Sequence, residues 1–166
     1  MTFVRDEATG LVHVPAGDGS AHWLVGDTYT VKASGASTGG ALGLVEASIP
    51  PGSGPPPHRH TLEDEAIYLL AGSLEVQVDE EIVQATAGAF AFLPRGTLHH
   101  FRNVGVDAAR ALFIITPGGF EQFFADAGAP AQAGVPVPPP DPAELARLLA
   151  TAPRYGVEIL PPPPTP

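Results

Sequence analysis

His58 and His60 stand one residue apart in the run HRHTLEDE, so on an extended strand both imidazoles point to the same face. Three acids follow at Glu63, Asp64 and Glu65, and a second histidine pair, His99 and His100, comes nearly forty residues later. Neighbouring strand residues face opposite ways, so only one of His99 and His100 can join the first pair. Three imidazoles and one carboxylate form a donor set that fits a first-row transition metal, and it does not choose among Fe, Ni, Mn, Cu, Co and Zn. Four protein donors leave one or two positions open on a five- or six-coordinate ion, and open positions invite catalysis. The donors must be deprotonated to bind, so acid should release the ion.

Holding such donors together requires stiff, extended backbone. Pro55-Pro56-Pro57 leads directly into His58, and proline fixes its own φ while pushing the preceding residue into extended geometry. With 19 glycines and 20 prolines the apolar runs stay short, the pattern of an all-β sandwich or barrel. Strands are expected at 10–14, 22–25, 28–32, 42–49, 66–70, 74–78, 82–85, 89–93, 98–103 and 110–116. The 66–70 and 74–78 strands read as a hairpin around Ala71-Gly72-Ser73, and 34–40 (SGASTGG) as a loop. The spacing of turns suggests an antiparallel jelly roll. Beyond Pro117 the pattern turns helical: Phe120, Phe123 and Phe124 share a helical face. That helix is read either as a lid on the barrel mouth or as packed outside it. A proline-rich strap, 128–140, precedes a second helix, with Asp141 as N-cap, Pro142 at the first position, Glu144 completing a capping box and Leu145, Leu148 and Leu149 as its apolar stripe. The PPPPTP tail reads as disordered.

Composition narrows the partners. The formal charge is −10 and Lys32 is the only lysine, a surface that repels phosphate and argues against nucleic acid and anionic membrane. No apolar run approaches a membrane span, and the first residues lack the basic start and apolar run of a signal peptide, which points to a cytoplasmic protein. Absence of cysteine excludes a disulfide scaffold and thiolate metal sites.

The spacing also matches a family pattern. Gly52, His58, His60, Glu65 and Gly72 follow G-x5-H-x-H-x4-E-x6-G, and Gly88, Pro94, Gly96, His99 and Asn103 follow G-x5-P-x-G-x2-H-x3-N. The sequence thus resembles the cupins, and its flanks look most like the single-domain quercetinase-like branch. The resemblance implies a cupin double-stranded β-helix, an all-β jelly-roll barrel with short C-terminal helices. The barrel would occupy residues 1–118, a helical segment 119–153 and a tail 154–166, all in one domain. It implies His58, His60, Glu65 and His99 as ligands of one divalent transition metal ion, leaving His100 on the sheet's other side. Glu63 and Asp64 are then expected to be solvated acids of the turn, Arg95 a solvated charge, and Asn103 and Gly96 structural.

In the quercetinase-like branch the reaction is oxidative ring cleavage of a flavonol or similar enolisable hydroxy-ketone by dioxygen, with the glutamate as general base. Carried over, Glu65 is the catalytic residue, and Tyr68, Phe92, Phe101, Phe113, Phe120 and Phe124 are candidate substrate contacts, with Ile67, Leu112 and Ile114 as further candidates for the wall. Strand alternation lets only about half of the strand-borne members face inward. The other classes are a non-redox isomerase, cyclase or lyase, which would turn over without oxygen, and a non-catalytic small-molecule-binding cupin. The resemblance also implies a homodimer formed through sheet faces.

Overall fold

The computed structural model describes residues 4–5 and 8–160. A short antiparallel pair, β1 (Val4–Arg5) with β2 (Val12–His13), precedes the barrel. The barrel strands are β3 (Ser20–Leu24), β4 (Asp27–Ala33), β5 (Gly43–Ile49), β6 (His58–His60), β7 (Asp64–Ala71), β8 (Ser73–Val78), β9 (Glu81–Thr86), β10 (Phe90–Leu93), β11 (Leu98–Asn103) and β12 (Ala109–Thr116). Two short late strands complete the sheets: β13 (Ala129–Pro130) and β14 (Val157–Ile159). The larger sheet runs β10-β7-β12-β5-β4-β3-β13 and the smaller β14-β6-β11-β8-β9, with every pairing antiparallel. Two facing antiparallel sheets make the expected jelly roll.

Alternation sets what each strand buries. On β12, Ala109, Ala111, Phe113 and Ile115 enter the core while Arg110 and Thr116 stay in solvent. On β11, His99, Phe101 and Asn103 are buried and alternate with Leu98, His100 and Arg102. Phe101 and Phe113 meet across the two sheets with ring centroids 5.2 Å apart, and each such ring removes roughly 150–250 Å² from water.

Two local expectations fail for identifiable reasons. The 66–78 segment is no hairpin: β7 lies in the larger sheet and β8 in the smaller, so the chain changes sheets at Gly72. Gly72 has φ +82°, and a Cβ there would come within 2.8 Å of Ala109 Cα, so the crossing needs a residue without a side chain. The tight turn falls instead at Asp79-Glu80, between β8 and β9. Nor is 34–40 simply a loop. Gly35–Thr38 forms one helical turn, α1, with Ser34 as N-cap in a reciprocal capping box with Ser37. Buried Glu121 accepts a hydrogen bond from the Gly35 N–H at 2.6 Å, a long-range cap that local sequence does not reveal.

The C-terminal segment closes one end of the barrel. Phe120–Gln122 is a 3₁₀ turn that runs into α2 (Phe123–Ala127), and Phe120, Phe123 and Phe124 are all buried. Phe124 stacks on Tyr29 of β4 at 4.2 Å, so the aromatic stripe belongs to the barrel interior and does not lie on its outside. In α3 (Pro142–Thr151) Asp141 caps the Glu144 N–H as expected. The Glu144 carboxylate does not complete a capping box, because its Oε1 accepts the Val25 N–H, 119 residues away in sequence. Of the expected leucine stripe only Leu148 is buried, while Leu145 and Leu149 are half exposed. Residues 157–159, expected as tail, form β14 on the edge of β6; residues 161–166 lie outside the described residues. Among the described residues no helix is long and apolar enough to cross a membrane.

Candidate metal centre

The histidines converge through strand register. On β6, His58 and His60 share a face, and β11 places His99 directly opposite His58. The ring centroids are 4.5 Å apart for His58–His99, 5.0 Å for His58–His60 and 5.3 Å for His60–His99. One nitrogen from each ring lies within 4.8 Å of the others, a grouping able to hold one ion. His100 faces the opposite side of β11, as alternation requires.

Outer hydrogen bonds fix the ring orientation. His58 Nδ1 donates to the Pro56 carbonyl at 2.8 Å, His99 Nδ1 to the Thr97 carbonyl at 3.3 Å, and His60 Nδ1 to Glu63 Oε1 at 2.5 Å. Carbonyl and carboxylate oxygens accept here, so each Nδ1 carries a proton, and in the neutral ring Nε2 keeps its lone pair. The Nε2 atoms of His60 and His99 are buried and have no hydrogen-bond partner. A buried acceptor without a partner is costly, and inward lone pairs on three neighbouring imidazoles fit a divalent ion.

Glu65 comes from the other sheet. It is buried on β7, opposite Leu93 and Ile115, and its Oε2 lies 3.6 Å from His60 Nε2, at the edge of the imidazole group. Glu63, expected to be solvated, is instead buried on the turn between β6 and β7 and held against His60. Asp64 does face solvent, but it forms a two-pronged pair with Arg95 that ties this turn to the one before β11. Asn103 is structural as expected: buried, its amide donates to the Ile49 and Asp107 carbonyls while its oxygen accepts from Gly105 N–H.

Titration follows from this packing. Burial pushes the His58 pKa well below its usual value, and the neighbouring His99 and His60 push it further. His99 is pushed down to about 4, by burial first and then by His60. Burial acts in the same direction on His60, but the Glu63 hydrogen bond and the charges of Glu65 and Glu63 outweigh it and raise its pKa. Burial raises the Glu65 pKa, and the nearby His60 only partly offsets it.

A cavity of about 60 Å³ reaches this group. His58, His60 and Glu65 form one wall; Phe101, Phe113, Phe120 and Phe124 are among the rest. Phe120 stands edge-on to His60 with centroids 4.4 Å apart. Tyr68 and Phe92, expected as substrate contacts, lie elsewhere. Inward Glu65 sets the parity of β7, so Tyr68 points out, and Phe92 sits on the same outer face of β10 opposite Ala66. They are 40% and 55% exposed, and neither borders the cavity. Nor do Ile67, Leu112 or Ile114 reach it. The sequence reading missed Tyr29, which β4 alternation brings inward, and Leu148, Val157 and Ile159, which only tertiary folding brings to the site.

A jelly roll that gathers three oriented imidazoles and a carboxylate beside an apolar cavity defines a class of β-barrel able to hold a metal ion. Residues 45–115, the stretch that carries His58, His60, Glu65 and His99, match the cupin domain family. It is 37% identical over 81 residues to the tetracenomycin polyketide synthase protein TcmJ of Streptomyces glaucescens, covering 49% of this chain and 53% of that one. It is 25% identical over 163 residues to quercetin 2,3-dioxygenase of Bacillus subtilis (strain 168), covering 98% of this chain and 48% of that enzyme. The chain thus spans about half the length of these curated relatives. Among solved structures, the polyketide cyclase RemF of Streptomyces resistomycificus shares the fold, with a TM-score of 0.55 and 23% identity over 62% of this chain and 77% of that one.

Proposed function

We propose that this protein is a metal-dependent dioxygenase that cleaves a flavonol-like or other enolisable aromatic hydroxy-ketone. His58, His60 and His99 hold the ion, and Glu65 is both the fourth donor and the general base. The ion, when bound, would acidify the substrate hydroxyl and serve as the meeting point for substrate and dioxygen. The observation that carries this reading is the position of Glu65: a buried carboxylate at the edge of three inward imidazoles, facing a cavity walled by phenylalanines.

The chain's own residues supply the rest. Burial raises the proton affinity of Glu65, so its carboxylate is a stronger base than a solvated one and better matched to a hydroxyl that has been made more acidic. Phe101, Phe113 and Phe120 present ring faces and edges to a flat aromatic guest and exclude water from the reacting end. Among the described residues no lysine or arginine borders the cavity. The alignment with quercetin 2,3-dioxygenase along nearly the whole chain supports the same substrate class.

A second reading is non-redox ring closure of a polyketide, supported by the 37% identity over 81 residues to a polyketide synthase protein. It would use the same carboxylate as base and need no oxygen. The test is elemental analysis of the purified protein, followed by oxygen uptake with flavonols and parallel anaerobic incubations. Metal-dependent oxygen consumption with ring-opened product supports the dioxygenase. Anaerobic turnover supports the cyclase, and binding of metal and ligand without turnover leaves a binding protein.

A further inference from the structure

The three imidazoles differ in their outer partners. Two Nδ1–H groups, on His58 and His99, donate to neutral backbone carbonyls, whereas that of His60 donates to the carboxylate of Glu63. Glu63 is only 4% exposed, and His60 is its one ion-pairing partner among the described residues. A carboxylate is costly to bury without compensation, so its place here is informative. Glu63 and Glu65 flank one ring from opposite ends, Glu63 at Nδ1 and Glu65 near Nε2.

We infer that Glu63 is a positioning residue of the metal centre: through His60 it fixes the ring's tautomer and strengthens that imidazole as a donor. This inference rests on the metal-site reading above and extends it. An imidazole hydrogen-bonded to carboxylate is more electron-rich than one bonded to a carbonyl, so His60 is the strongest of the three nitrogen donors. Glu63 also places one negative charge beside the ion without occupying a coordination position. Glu65, at the edge of the group, is thereby relieved of much of the holding task and is free to accept a proton. In HRHTLEDE the three acids thus divide three tasks: Glu63 orients a ligand, Asp64 ties two turns together through Arg95, and Glu65 faces the cavity.

The experiment compares wild type, Glu63→Ala, Glu63→Gln and Glu65→Gln, using Co(II) titrated against a competing chelator, the visible spectrum of the Co(II) protein and melting of the metal-free protein. Glu63→Ala is expected to weaken Co(II) binding by about 10- to 100-fold, the range for loss of such an outer partner. Glu63→Gln keeps an oxygen that accepts the Nδ1–H, so it is expected to fold like wild type, lose less affinity than the alanine variant and shift the Co(II) bands. Glu65→Gln, which alters the fourth donor itself, serves as the reference for a change in a direct ligand. Wild-type affinity and spectrum in both Glu63 variants would overturn the assignment while leaving the metal site standing. Failure of the wild type to bind Co(II) would overturn both. If Glu63→Ala does not fold, the glutamine variant alone decides.

Discussion

His58 lies directly across from His99 in the antiparallel register of β6 and β11, so one pair of neighbouring strands delivers two imidazoles from sequence positions 41 apart. His60, two residues along the same strand, arrives on the same face without further arrangement. The clustering of the three imidazoles is therefore a consequence of sheet register, and a one-residue slip of β11 would exchange His99 for His100 and turn Phe101 outward.

This register makes the two adjacent histidines unequal. His99→Ala should remove one of three clustered imidazoles and sharply reduce metal content. His100→Ala, on the opposite face, should leave metal near the wild-type level. Elemental analysis of the two purified variants after identical loading distinguishes them. Metal loss in His100→Ala with retention in His99→Ala would show the strand to be turned the other way in solution.

Glu65 carries a different expectation. Glu65→Ala should retain metal through three imidazoles yet lose turnover by about 100- to 10,000-fold, the usual weight of a positioned general base. Steady-state rates alongside metal content check it. Unchanged activity at full metal occupancy would remove Glu65 from the chemistry.

Period-two alternation made much of this arrangement legible in the sequence, but only where a fixed point set the parity. His58 with His60 fixed the face of β6; on β11 the family motif singled out His99, which put His100 on the other side, and the same parity places Phe101 inward. The same counting from Glu65 places Ile67 and Leu69 inward and Tyr68 outward; grouping aromatics by type rather than parity is what misplaced Tyr68. Glu63 escaped notice because a run of three acids reads as surface, and its partner's free Nδ1 is visible only once the turn has folded back. The contributions of Leu148, Val157 and Ile159 depend on how a proline-rich strap returns the chain to β6, which no local pattern encodes.

Wall and outer face should respond differently to truncation. Phe120 is buried, packs edge-on to His60 and stacks on Phe123 at 5.0 Å, so Phe120→Ala should cost about 3 kcal/mol or more of stability. It should also weaken retention of an aromatic ligand. Phe92→Ala on the exposed face of β10 should change stability by about 0.5 kcal/mol or less and leave turnover as it was. Denaturant unfolding of the two variants, with substrate saturation curves, tests the assignment. Equal effects would mean that β10 is turned toward the cavity.

Asp27 sets a pH dependence of its own. It is fully buried at the start of β4, accepts a hydrogen bond from the Tyr29 hydroxyl at 3.1 Å, and has one carboxylate oxygen without a partner. Burial raises its pKa to about 7, against the smaller opposing influence of the nearby Ser53 and Tyr29 hydroxyls. For an acid whose folded pKa lies above its unfolded value, the folded state binds the proton more tightly. Its stabilising contribution is therefore complete below the unfolded pKa of about 4 and is lost as pH rises through about 7. Asp27→Asn mimics the protonated form, keeps an oxygen for Tyr29 and cannot ionise. The variant should therefore melt at a higher temperature than wild type at pH 8, by an amount reflecting a few kcal/mol, and the gap should close toward pH 4. Comparing the two proteins at each pH cancels the titration of the histidines, which both share. A gap that is constant across this range would show that Asp27 is already ionised in the folded protein at low pH.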